Sequence, residues 1–165
     1  MIYKNNRLAF TMIELIMVIV IIGILAAVAI PKLAMNRDDA TITNAQSLIS
    51  SIRSAIATEK QRRVLSGNFT AITELSTNTN YDSFIFDGFD GDSTSPVLGY
   101  PPLSCEDANE RGCWKASGSG SYIYRMPDTS ADVDFVLENN RFNCSLSTGS
   151  TLQQDACKKL TQGKE

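Results

Sequence analysis

The chain has 165 residues, 15 Lys and Arg against 18 Asp and Glu, a formal charge of −3, and no histidine. Phosphate binding along nucleic acid needs clustered Lys and Arg, and no basic block is present, so no nucleic-acid partner is expected. Without histidine the Ser-His and Cys-His nucleophiles and the commonest transition-metal ligand are out of reach, and the sequence is not read as an enzyme.

Residues 1–9, MIYKNNRLA, form a polar leader that carries Lys4 and Arg7 and no acid. The twenty-one residues from Phe10 to Ile30 follow with one charge among them, Glu14. At about 1.5 Å per residue this run extends roughly 30 Å, the thickness of a bilayer core. The segment 10–31 is therefore predicted to span a membrane, with the basic leader on the cytoplasmic side and everything after Pro31 outside. Ala27-Val28-Ala29 offers a competing reading, in which a signal peptidase cuts after Ala29 and releases a soluble binding module. Glu14 separates the two. A carboxylate inside lipid is costly unless it reaches the headgroups or meets a cation, and the run supplies no cation. Its partner must come from a processed terminus or from another chain.

Beyond Pro31 the pattern becomes amphipathic. Ile42, Ala45, Ile49, Ile52 and Ile56 recur at three- and four-residue steps, which leaves Arg53, Glu59 and Lys60 to the other face. Residues 32–66 are predicted to continue the same helix, from Phe10 to about Ser66, with Gly67-Asn68 as the stop. Residues 67–165 then form a head that covers the apolar stripe. A short helix is expected around Phe69 to Leu75, and DGFDGDSTSP and ASGSGS read as loops. SYIYRM (121–126), DVDFVL (132–137) and RFNCSL (141–146) read as strands of an antiparallel meander, the last two joined by a hairpin at Glu138-Asn139-Asn140, a composition that tolerates positive φ. The expected fold class is α+β, a long helix packed on a small antiparallel sheet.

Four cysteines, Cys105, Cys113, Cys144 and Cys157, fall on the predicted outer side, where disulfides form. Proximity in sequence favours Cys105 with Cys113 and Cys144 with Cys157. The spacings contain no CxxC, which disfavours zinc. Asp87, Asp90 and Asp92 are hard-oxygen donors suited to Ca²⁺, though without EF-hand spacing, and a solvated acidic turn is the alternative. No other cofactor is expected. Trp114, beside Cys113, reads as core packing.

The stretch AFTMIELIMVIVIIGILAAVAIPKL, Ala9 to Leu33, resembles the N-terminal signature of type IV pilins and type II secretion pseudopilins. The likeness covers about the first thirty-five residues and agrees in identity, order and spacing, except that Ala9 stands where the family has Gly. It implies that a prepilin peptidase cuts between Ala9 and Phe10 and that the new Phe10 amine is methylated. Glu14 would then neutralise the Phe10 ammonium of a neighbouring subunit as helices polymerise. Gly23 and Pro31 would be positions where the helix loosens in the filament, and some pseudopilins bind calcium. The implied partners are further copies of this chain, other pilins or pseudopilins in a helical filament, and an assembly platform. The implied location is the bacterial inner membrane, with the head in the periplasm before assembly into a pilus or pseudopilus. A major pilin, a type II secretion pseudopilin, and a minor pilin for DNA uptake or adhesion all fit this signature.

Overall fold

The computed structural model describes residues 10–144 and 149–163, and for residues 28–36 the backbone alone. The leader 1–9, with Ala9, lies outside the described residues. Helix α1 is assigned over Met12–Leu65, and the chain divides into two compact units, Met1–Arg37 and Asp38–Glu165.

In the first unit, large apolar side chains from Phe10 to Leu25 are exposed. Among the described residues no helix is long and apolar enough to cross a membrane. The predicted span 10–31 includes residues 28–31, whose side chains lie outside the described residues. The helical assignment continues through Gly23 and Pro31.

In the second unit, α1 turns the predicted stripe inward: Ile42, Ala45, Ile49, Ile52 and Ile56 are all buried. The opposite face is narrower than expected. Glu59 is only 6% exposed, and Arg53 is half-buried with Nε donating to the Phe142 carbonyl at 2.9 Å, so of the three charges assigned to solvent only Lys60 lies there. The reason is geometric. Position 59 continues the row 52, 56, 59 at helical spacing, so a carboxylate there faces inward whatever its polarity. Helix α1 ends as the sequence predicts. Gly67 takes φ +78°, its N–H bonds the Val64 carbonyl at 3.0 Å, and the Asn68 N–H reaches back to the Arg63 carbonyl at 2.8 Å, the paired bonds of a Schellman stop.

The sheet among the described residues has four strands in the order β1-β2-β3-β4, all antiparallel: β1 Trp114–Gly118, β2 Ser121–Arg125, β3 Asp132–Glu138 and β4 Arg141–Cys144. The three predicted strands are β2, β3 and β4. Strand β1 replaces the first part of the expected ASGSGS loop, with a register shift between Ala116 and Gly118 that accommodates the glycine-rich sequence. Asn139 and Asn140, at φ +52° and +58°, make the β3–β4 hairpin, as two consecutive positive-φ residues of a type I′ turn should. Gly120 needs its identity on two counts: it has φ +68°, and a Cβ there would stand 2.7 Å from the Thr73 carbonyl oxygen.

The inner sheet face supplies Trp114, Tyr122, Tyr124, Phe135 and Phe142, which share one core with the isoleucine stripe. Trp114 lies 5.1 Å from Phe135 and 4.9 Å from Tyr124 between ring centroids, and Phe86 packs 5.0 Å from Tyr122. Phe86 holds φ +61° while wholly buried, a conformation that an aromatic residue keeps only when its surroundings dictate it.

One further expectation is corrected and one element is new. Residues 69–75 are not helical, because their backbone donors are taken by side chains from elsewhere: Ile72 N–H by Asn140 Oδ1 at 2.8 Å, Thr73 N–H by Asp90 Oδ1 at 2.7 Å and Leu75 N–H by Tyr122 Oη at 2.7 Å. The C-terminal tail carries an unpredicted helix, α2 Thr151–Thr161, opened by a complete capping box between Ser150 and Gln153.

Disulfides join Cys105 to Cys113 and Cys144 to Cys157, with Cα separations of 5.2 and 6.1 Å. The second ties β4 to α2. Removing it as Cys144→Ala with Cys157→Ala is expected to lower the stability of the head by about 3 kcal/mol, the chain-entropy value for a loop of this size. Guanidinium unfolding of the detergent-solubilised chain, read through the fluorescence of the single Trp114, checks this, and unaltered unfolding would show that α2 is held without the bridge.

Candidate functional site

Two regions bear the predicted functional residues. The first is the start of α1. Thr11 Oγ1 accepts the Glu14 N–H at 3.3 Å and the Thr11 carbonyl accepts the Leu15 N–H at 3.3 Å, so Thr11 caps the helix and Glu14 stands three residues in, the order of a capping box. There the Glu14 carboxylate lies at the positive end of the helix dipole. Phe10, 78% exposed, precedes the cap by one residue. The role of Thr11 was missed from sequence, although Thr-Met-Ile-Glu spells it. A Cβ on Gly23 would meet nothing within 4 Å, so its side is open. This segment offers an apolar surface on every side and one carboxylate in its first turn.

The second region is the head's acidic loop. The structure does not bring Asp87, Asp90 and Asp92 together: among the described residues their ligand atoms form no group within 4.8 Å, and each has its own work. Asp87 accepts from the Thr77 N–H at 2.8 Å and hydroxyl at 2.5 Å, and Asp92 from the Thr94 N–H at 2.9 Å and hydroxyl at 2.7 Å. Asp90 binds the Thr73 N–H and hydroxyl through Oδ1 and the Arg63 guanidinium at 2.7 Å through Oδ2. Arg63 also donates to Glu59 at 2.8 Å, and Arg62 grips the same carboxylate with two bonds of 2.8 Å. Helix α1 thus brings a guanidinium to the Asp90 carboxylate of this loop. Among the described residues one donor group falls within 4.8 Å, Cys105, Glu110 and Cys113, and both of its sulfurs are in a disulfide, so it has no thiolate to give a metal.

The hydrogen bond from Arg62, opposed by burial and reinforced by Arg63, holds the Glu59 carboxyl below its ordinary pKa. Burial raises that of Asp90, and the bonds from Thr73 and Arg63 more than offset it, so it too is lowered.

Residues 4–30 match the family of the prokaryotic N-terminal methylation motif. The chain carries the type IV pilin and pseudopilin signature. No curated protein and no solved structure matches the chain. The motif lies within the first of the two units and does not reach the head.

Carboxylates with depressed native pKa values stabilise the fold above their unfolded values, 4.5 and 3.8 here, and lose that contribution as pH falls through their native ones. The head is thus expected to be level in stability above about pH 5 and to weaken below that range. Arg63→Met should lower stability at pH 7 by about 2 kcal/mol and flatten the acid slope. Unfolding midpoints by Trp114 fluorescence between pH 7 and pH 3 check both, and an unchanged slope would detach the acid response from this junction.

Proposed function

We propose that the chain is a structural subunit of a type IV pilus-like filament or type II secretion pseudopilus, not an enzyme. The observation that carries this reading is the methylation motif over residues 4–30. The precursor inserts in the bacterial inner membrane with Lys4 and Arg7 inside and the head outside. A prepilin peptidase cuts between Ala9 and Phe10, the Phe10 amine is methylated, and an inner-membrane platform adds the subunit to a filament of further copies or other pilins.

The physical logic supports the assignment. Cleavage creates the one cation that the apolar run lacks, one residue before the Thr11 cap. A Glu14 carboxylate of one subunit and a Phe10 ammonium of its neighbour are each costly in a low-dielectric bundle and favourable together, so an unmatched charge penalises the wrong stagger. Thr11 contributes by starting the helix in a fixed place, so that Glu14 always emerges from its first turn. A head stapled by two disulfides suits an oxidising compartment.

The mass of the N-terminal peptide from the native cell envelope tests the proposal directly. A start at Phe10, with or without one methyl group, is expected, whereas a start at Ile30 would make the protein a secreted soluble module. Glu14→Leu should leave insertion and cleavage intact and reduce incorporation into filaments at least tenfold. Wild-type incorporation of that variant would exclude charge pairing as the register device.

A further inference from the structure

Two triplets of the chain have the form Asn-x-Ser/Thr that N-linked sugar transfer requires, Asn68-Phe69-Thr70 and Asn143-Cys144-Ser145. The letters alone are a weak signal, and the structure separates the two. Asn143 lies in β4, paired with Val136 of β3, and its Oδ1 accepts from Arg53 at 3.2 Å. Its neighbour Cys144 is held in the bridge to Cys157. That asparagine is half-buried and committed to the sheet.

Asn68 is the opposite case. It is exposed and stands just past the Schellman stop of α1. Its Oδ1 accepts the Thr70 N–H at 2.9 Å and the Thr70 hydroxyl at 2.8 Å, an Asx-turn closed by the third residue of the triplet. A backbone N–H can only donate, so these bonds fix which side of the carboxamide is oxygen. Among the described residues Nδ2 has no acceptor. The surroundings suit a sugar. Leu65, three residues before, and Phe69, one after, are 88% and 80% exposed, apolar area that the C–H faces of a sugar would cover. A hollow of about 310 Å³ adjoins Asn68, and Arg62, Ser66, Thr70, Asp92 and Ser95 supply its border with the hydroxyl and charged groups that pair with sugar hydroxyls.

We propose that Asn68 Nδ2 is the attachment point of an N-linked glycan on the head. The donor is a sugar carried through its C1 on a lipid diphosphate, the class of activated sugar presented outside the membrane. Nδ2 forms its bond to C1 as the C1–O bond to the diphosphate breaks. The bonding electrons and one amide proton leave with the diphosphate, and nothing is oxidised or reduced. The inference shares with the filament reading only the outward placement of the head.

The test takes the full chain from its native cell envelope, reduces it and cleaves it after Lys and Arg, which places Asn68 in peptide 64–111 and Asn143 in peptide 142–158. Mass spectrometry with electron-transfer fragmentation is expected to find a sugar increment on Asn68 and none on Asn143. The increment should vanish in Asn68→Gln and in Thr70→Ala and persist in Thr70→Ser, with the Trp114 fluorescence of all three variants unchanged. A peptide 64–111 found only at its unmodified mass overturns the proposal, as does a sugar that survives Asn68→Gln. The N-terminal peptide of the same digest keeps the two readings apart. A glycan at Asn68 beside a start other than Phe10 would remove the filament reading and leave this site standing, and an unmodified Asn68 beside a Phe10 start would do the reverse.

Discussion

The head is organised by one demand: the row Ile42, Ile49, Ile52 and Ile56 on α1 must be taken out of water. Fully burying an isoleucine side chain contributes on the order of 2 kcal/mol, so a row of them makes an exposed second half of α1 untenable. The aromatic inner face of the sheet answers it. Trp114, Tyr122, Tyr124, Phe135 and Phe142 are large, and their centroid distances of 4.9 to 6.0 Å show rings in contact with one another as well as with the helix side of the core.

That core leaves the long segment between α1 and β1 without a ladder of its own, and side chains substitute for one. Asp90 binds the backbone of Thr73 and Glu74, Asp87 that of Thr77, Asn140 that of Ile72 and Tyr122 that of Leu75. Burial pushes the Tyr122 phenol up to about 12, which keeps it neutral and able to serve as a partner across the physiological range. The Glu59, Arg62, Arg63 and Asp90 junction then fastens the loop to the end of α1. Within that junction the Arg63 guanidinium of the neighbouring helix meets the loop at Asp90.

The two stretches of α1 solve opposite problems. Residues after Asp38 present one apolar face, and this chain covers it. Residues 10–25 present apolar side chains all round and are exposed. A surface of that kind calls for an apolar environment, and it lies within the stretch that carries the methylation motif, residues 4–30.

Much of this was legible in the residues. The inward stripe of α1, its glycine stop, the strands from residue 121 on, the Asn-Asn hairpin and both cysteine pairs follow from local signals, because helix period, strand alternation and turn chemistry act over a few positions. The N-terminal signature was legible for the same reason, being a linear pattern. Only the tertiary structure decided where Arg53 points, that residues 69–75 are not helical, that Trp114 begins a fourth strand, and that Asp90 meets Arg63 rather than Asp87 and Asp92. Each of those outcomes depends on a partner many positions away, and a donor or charge is committed only when the fold brings that partner within about 3 Å. Two local features were left unread, the Thr11 cap of α1 and the Ser150–Gln153 capping box, signals in plain sequence that announce the start of each helix.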